Sequence, residues 1–243
     1  MPPRIFHSAP LASGENISLT GGAATHLGKV LRLRKDDAVI LFNGDGLDYT
    51  ARIISVTRRE IVVLVAAGTD PKTESPVNLS LLQGICRNQR MDLLIQKSTE
   101  LGVQSIHPII ADRSVIRLTD ERVEKKLAHW RNVAISACEQ SGRARVPDIS
   151  RPELLVTVCE KLPETVTRLA LDPGGDKMPE TAIRSAHTIA LLVGPEGGLT
   201  DTERETSSRA GFRGVRLGPR ILRTETAPLA ALSILQYLSG DFF

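Results

Sequence analysis

Leu191-Leu192-Val193-Gly194-Pro195-Glu196-Gly197-Gly198-Leu199 and Leu217-Gly218-Pro219-Arg220-Ile221-Leu222-Arg223-Thr224-Glu225-Thr226-Ala227 decide the reading of this chain. Each is a Gly/Pro turn that follows a short apolar run and precedes a helical pattern. Glycine lets backbone approach a ligand closely because no Cβ intrudes. In open α/β sheets, ligands sit at the carboxyl ends of strands. Two such turns therefore suggest one site with two walls. Neither turn is G-x-G-x-x-G or G-x-x-x-x-G-K-[ST], so no phosphate loop is indicated. The plainer alternative for each turn alone is a tight strand-to-helix connection.

Outward from these turns, strands and helices alternate from Val77 onward. The pattern predicts strands at 78–85, 105–110, 167–171, 188–193 and 214–217. It predicts helices at 90–101, 120–140 and 227–238, and Thr200-Asp201-Thr202-Glu203 reads as a capping box opening another. Gly102 stands where a helix C′ glycine belongs. Pro228 falls in the first turn of the last helix, where it is tolerated. The alternation argues for a mostly parallel sheet with helices on both faces, an α/β fold.

Residues 1–70 read differently. Strands are predicted at 39–42, 49–56 and 61–65, with a turn at Asn43-Gly44-Asp45-Gly46 and one helix over 22–32. Small β-rich folds of this kind are often barrels. Asp70-Pro71-Lys72-Thr73-Glu74-Ser75-Pro76 breaks the pattern, so the chain divides into 1–70, a linker 71–76, and 77–243.

Composition narrows the function classes. Of 243 residues, 41% are hydrophobic, enough for a real core. Aromatics are 3%, which argues against base stacking on aromatic platforms. The net charge of +3 permits an RNA partner, but basic residues would have to cluster. Cys86, Cys138 and Cys159 form no C-x-x-C pair, and their odd number fits a reducing cytosol. The five histidines show no metal-ligand spacing, so no metal is expected. Met1-Pro2-Pro3-Arg4 opens no signal peptide, and no run approaches eighteen apolar residues.

Arg223, Thr224, Glu225 and Thr226 lie between a strand end and a helix start. Thr224 or Thr226 can cap that helix. Capping does not explain Arg223, because a cation gains nothing from the positive end of a helix dipole. Arg223 either pairs with Glu225 or faces an anionic group. Arg143 and Arg145 follow the long helix, where cations are favourable without any function. Arg32, Arg34 and Lys35 form a basic run suited to phosphate contact or to plain solvation.

Taken together, these motifs resemble the RsmE family of ribosomal RNA methyltransferases within the SPOUT superfamily. The resemblance runs through Arg4-Ile5-Phe6-His7, His26-Leu27-Gly28-Lys29-Val30-Leu31-Arg32 and Arg90-Met91-Asp92. It continues through Gln96 to Val103, Arg113-Ser114-Val115 and Ala137 to Arg143, and ends in the two terminal turns. Pro228 departs from the small residue expected there. The resemblance implies a PUA-like barrel that helps hold RNA, then an α/β domain whose C-terminal segment threads a deep trefoil knot. Such knots are exceptions to the usual connection rules. It implies homodimers packed through the knot region, and methylation of N3 of one uridine in 16S ribosomal RNA, free or in the small subunit. S-adenosylmethionine would be the cofactor, held by Leu171, Val193, Gly194, Pro195, Glu196, Gly197, Gly198, Leu217, Gly218, Ile221, Leu222, Thr224, Thr226 and Ala227.

Arg223 is then the candidate for stabilising negative charge on the uracil, with Glu225 orienting it. Arg4, Arg32, Arg34, Lys35, Arg90, Arg143 and Arg145 are the RNA-binding candidates. Two other readings remain open at this point: a SPOUT enzyme acting on another RNA position, and a non-enzymatic RNA-binding assembly factor. A dehydrogenase would require a dinucleotide fingerprint that is missing.

Overall fold

The computed structural model describes residues 2–114, 120–239 and 242. The chain forms two compact units, one of residues 1–74 with 138–146, the other of 75–137 with 147–243.

The first unit holds β1 (Arg4–Phe6), β2 (Asn16–Thr20), α1 (Gly21–Thr25), β3 (Ala38–Phe42), β4 (Asp48–Val56) and β5 (Glu60–Thr69). Its sheet runs β1-β3-β4-β5-β2, parallel between β1 and β3 and antiparallel elsewhere. Among the described residues no ladder joins β1 to β2. All five strands feed one core, with Tyr49, Ala51 and Ile53 of β4 alternating inward against Ile61, Val63 and Val65 of β5.

The helix expected over 22–32 is split. After α1, residues His26–Val30 form a π-helical turn, closed by Leu31 N–H donating to the His26 carbonyl at 2.9 Å. The wider turn carries Leu27 fully into the core and leaves Gly28 against Ile61. The chain then leaves through Arg32 in the left-handed region, φ 55°.

Residues 138–146, read from sequence as part of the second domain, pack with this first unit. Phe6 N–H donates to Glu139 at 3.1 Å, and Arg143 donates to Glu74 at 2.7 Å. The buried guanidinium needs the Glu74 carboxylate, and that requirement ties the segment down.

The second unit contains β6 (Asn78–Gly84), α2 (Asn88–Glu100), β7 (Ser105–Ile110), most of α3 (Asp120–Ser141), β8 (Asp148–Ile149), β9 (Glu153–Leu154) and α4 (Leu155–Lys161). It continues through β10 (Thr167–Asp176), α5 (Glu180–Arg184), β11 (Thr188–Val193), α6 (Asp201–Arg209), β12 (Arg213–Val215) and α7 (Thr226–Ser239). The sheet order is β12-β10-β11-β6-β7-β8, with β9 also on β7, and every ladder is parallel.

Both sheet faces are covered. Leu82, Ala190 and Leu192 pack with α4, while the alternate residues Leu81, Ile189 and Leu191 are equally buried. α4 packs on α6, and α7 packs on α2, α5 and β11. The capping box is formed: Thr200 Oγ1 accepts from Glu203 N–H at 3.2 Å, and Glu203 accepts from Thr200 N–H at 2.8 Å. Gly102 has φ +82° after α2, as its C′ position requires.

Candidate active site

The sheet order creates the site. β11 sits between β10 and β6, and β12 lies outside β10, so the carboxyl ends of β10, β11 and β12 are neighbours. A cavity of about 1000 Å³ opens there. The β10–β12 ladder pairs Leu171 with Val215, then skips to Asp176 with Val215. Residues 172–175 bulge out of the ladder, and Asp172 and Pro173 form a third wall beside the two anticipated turns. Leu171-Asp172-Pro173-Gly174-Gly175 has the same signature of an apolar run ending in Gly and Pro, and it went unread as a wall.

Local bonding holds the turns in place. The Thr224 hydroxyl is spent on the turn after β11: it donates to the Gly194 carbonyl at 2.8 Å and accepts from Gln83 Nε2 at 3.3 Å. The amide of Gln83 also donates to the carbonyl of Gly84 at 2.9 Å. Gly84 is glycine for steric reasons, since a Cβ there would sit 2.4 Å from Pro195 N. Gly198 N–H closes on the Pro195 carbonyl at 2.9 Å with φ +70°, a conformation costly for other residues.

Leu171, Val193 to Gly198, Leu217, Gly218, Ile221, Leu222, Arg223, Thr224, Glu225 and Ala227 all line the cavity. Thr226 does not; it is the first residue of α7 and is exposed. The lining also contains Arg90, Asp172, Arg204, Glu205, Phe212, Arg216 and Arg220, none of which was assigned to this site from sequence.

Arg90 departs most from the sequence reading. Rather than standing free for RNA, it pairs with Glu196 at 3.0 Å and lies 3.6 Å from Glu225. Arg223 is 79% exposed and 4.0 Å from Glu225, whose side chain is 14% exposed. Glu196 also accepts from Arg87 N–H at 3.0 Å. Burial alone would raise the Glu196 carboxyl. The hydrogen bonds from the Arg87 and Glu196 N–H groups, with the Arg90 guanidinium, outweigh that and hold it below its ordinary value. The second oxygens of Glu196 and Glu225 are buried and have no hydrogen-bond partner among the described residues. Burial, and then the charges of Glu196 and Glu225, push the Cys86 thiol up to about 12.

Two other RNA candidates are corrected. The Arg4 side chain is buried, ion-paired with Asp48, donates to the Arg143 carbonyl at 3.0 Å and lies over the Phe42 ring. Arg143, 2% exposed, is held by Glu74. Both are structural ties within the first unit. Arg32, Arg34, Lys35 and Arg145 are exposed.

An RNA methyltransferase domain family matches residues 73–236, and an RNA methyltransferase PUA domain family matches residues 19–66. Ribosomal RNA small subunit methyltransferase E of Buchnera aphidicola (Schizaphis graminum) is 34% identical over 98% of this chain and 97% of its own.

The chain belongs to the ribosomal RNA small subunit methyltransferase E family.

Two solved relatives have the same architecture. The methyltransferase E of Neisseria gonorrhoeae, bound to S-adenosyl methionine, is 38% identical, covers 100% of both chains and has a TM-score of 0.92. A putative methyltransferase of Legionella pneumophila, in complex with bound SAM, is 36% identical over 98% of both chains with a TM-score of 0.91. Membership places the glycine turns in a methyltransferase domain and the exposed basic run of the first unit in a PUA-type domain.

Proposed function

We propose that this chain transfers a methyl group from S-adenosylmethionine to N3 of one uridine in 16S ribosomal RNA, acting as a cytoplasmic homodimer. The reading rests chiefly on the cavity at the ends of β10, β11 and β12, in a chain that matches cofactor-bound relatives over its full length. The donor set suits the cofactor. Leu171, Val193, Leu217, Leu222 and Ala227 offer apolar walls for an adenine, and the glycine turns bring backbone to the cavity edge. Glu196 and Glu225 each present a buried carboxylate oxygen without a hydrogen-bond partner among the described residues, which suits a cationic ligand. S-adenosylmethionine supplies an already activated methyl group as a sulfonium.

The chain's own residues then have two tasks, alignment and charge handling. Uridine N3 carries a proton and is a poor nucleophile until that proton leaves. Arg223, exposed and part of the cavity lining, would stabilise negative charge on the uracil oxygens. Glu225 lies between Arg90 and Arg223 and limits where both guanidinium groups can point. The uracil edge must be unpaired or flipped out to enter. Arg32, Arg34, Lys35 and Arg145 supply sequence-independent attraction to phosphates.

The knot belongs to the same reading. The insertion of β11 between β10 and β6, and the packing of α7 on β11, α2 and α5, support a threaded C-terminal segment. Ile234 and Tyr237, exposed on α7, support a subunit contact there.

The test is methyl transfer from labelled S-adenosylmethionine to small subunits lacking the modification, with naked 16S RNA in parallel and mass spectrometry of the product nucleoside. N3-methyluridine is the expected product. A methylated ribose or a different base would overturn the assignment of the acceptor.

A further inference from the structure

We propose that the second unit carries its own phosphate-binding basin for substrate RNA, built from Lys177, Arg216 and Arg220 beside the main cavity. The inference rests on the RNA methyltransferase reading above and deepens it.

A second hollow of about 540 Å³ lies against the Gly218-Pro219-Arg220 turn and shares Pro173, Arg216, Gly218, Arg220 and Ile221 with the main cavity. Three cations line it, and no carboxylate does. None of the three makes an ion pair among the described residues. Carboxylates of β10 are engaged elsewhere: Asp176 pairs with Arg213 at 3.3 Å, and Asp172 accepts from Gly174 N–H at 2.8 Å. Three uncompensated cations around one hollow repel one another, and an anionic ligand relieves that repulsion.

The chemistry of the hollow selects the ligand. S-adenosylmethionine has a net positive charge, so these cations disfavour it. A phosphodiester is favoured by each of them. Met178 lines the hollow, and Ile221 is 85% exposed at the shared rim. They provide an apolar surface for a ribose or base face next to the phosphates. Because the rim is shared, the phosphates flanking a base inserted in the main cavity are the groups within reach. The basin holds the backbone beside the target nucleotide. It therefore positions RNA without reading sequence.

The test compares wild type with Lys177→Gln/Arg216→Gln/Arg220→Gln, with Arg220→Gln alone, and with the charge-conserving Arg216→Lys/Arg220→Lys. The probe is 16S RNA lacking the modification, bound by filter assay between about 50 and 200 mM salt. S-adenosylmethionine affinity is measured calorimetrically on the same samples. The triple variant should flatten the slope of log affinity against log salt by about 2, and the single variant by about 0.7. The charge-conserving variant should keep the slope, and cofactor affinity should not fall in any variant, because removing cations beside a positively charged cofactor costs it nothing. If wild type binds RNA and the triple variant has the same slope, the basin is wrong and the methyltransferase reading stands. A fall in cofactor affinity with an unchanged slope also overturns the basin, by giving the cations to the cofactor. A wild type that binds neither RNA nor cofactor overturns both.

Discussion

Arg90 on α2 and Glu196 on the turn after β11 are joined by a 3.0 Å ion pair, and the same guanidinium lies 3.6 Å from Glu225 just before α7. One side chain thus ties together two walls of the cavity. Arg90→Ala should leave the Glu196 and Glu225 carboxylates without the guanidinium that reaches both. Their half-buried setting places the cost between surface and buried pairs, about 1–2 kcal/mol. The acidic limb of the pH–rate profile should move upward in Arg90→Ala and return in Arg90→Lys. An unmoved limb in Arg90→Ala would sink the positioning role.

Glu196 also makes a stability prediction. Its carboxyl is held below its unfolded value of 4.5 by the N–H groups and the guanidinium around it. A carboxyl lowered by folding stabilises fully above its unfolded pKa, and that stability disappears as pH falls through the folded one. The difference in melting temperature between wild type and Glu196→Gln should therefore be flat at neutral pH. It should shrink only below about pH 4.5. A difference that shrank between pH 6 and 8 would contradict this account.

Arg223 is exposed and only loosely paired, so its removal should not disturb the fold. Arg223→Ala should lower methyl transfer by about 10²–10³, as losing an aligned electrostatic donor does. Cofactor affinity should survive. Turnover equal to wild type would remove Arg223 from the chemistry.

Strands 105–110 and 188–193 and the Thr200 capping box were legible in sequence because apolar runs and caps are local signals. The π-helical turn was not: its residues Leu27 and Gly28 sit in the core and beside Ile61, a partner more than thirty residues away that local periodicity does not show. The cavity lining was largely legible, since Gly and Pro mark strand ends. Arg90 and Arg143 were misread because their partners are distant in sequence. Glu196 is 106 positions from Arg90, and Glu74 is 69 from Arg143. A single chain shows cations but not the carboxylates that fold onto them.

Gly84 and Gly218 should respond to alanine for different reasons. At Gly84 a Cβ meets the backbone nitrogen and ring of Pro195 at 2.4 and 2.5 Å, so the turn must move. Gly84→Ala should cost about 1–3 kcal/mol and weaken cofactor binding with it. At Gly218 the space is open and only φ +76° resists. There the cost should be about 1 kcal/mol, from backbone strain alone. Chemical denaturation with calorimetric cofactor titration separates the two.

Arg143 also contrasts with its sequence reading. Its guanidinium is buried against Glu74, which also accepts from Arg145 N–H at 3.2 Å. Removing one partner strands the other, so Arg143→Ala should destabilise the protein by about 3–5 kcal/mol. The salt dependence of RNA binding, measured well below the melting point, should not change. Neutralising Arg32, Arg34 and Lys35 together should do the reverse, because all three are exposed. The melting temperature should hold while the slope against log salt flattens by about 2. If Arg143→Ala instead kept wild-type stability and flattened the slope, Arg143 would be an RNA contact, and its tie to Glu74 would be dispensable.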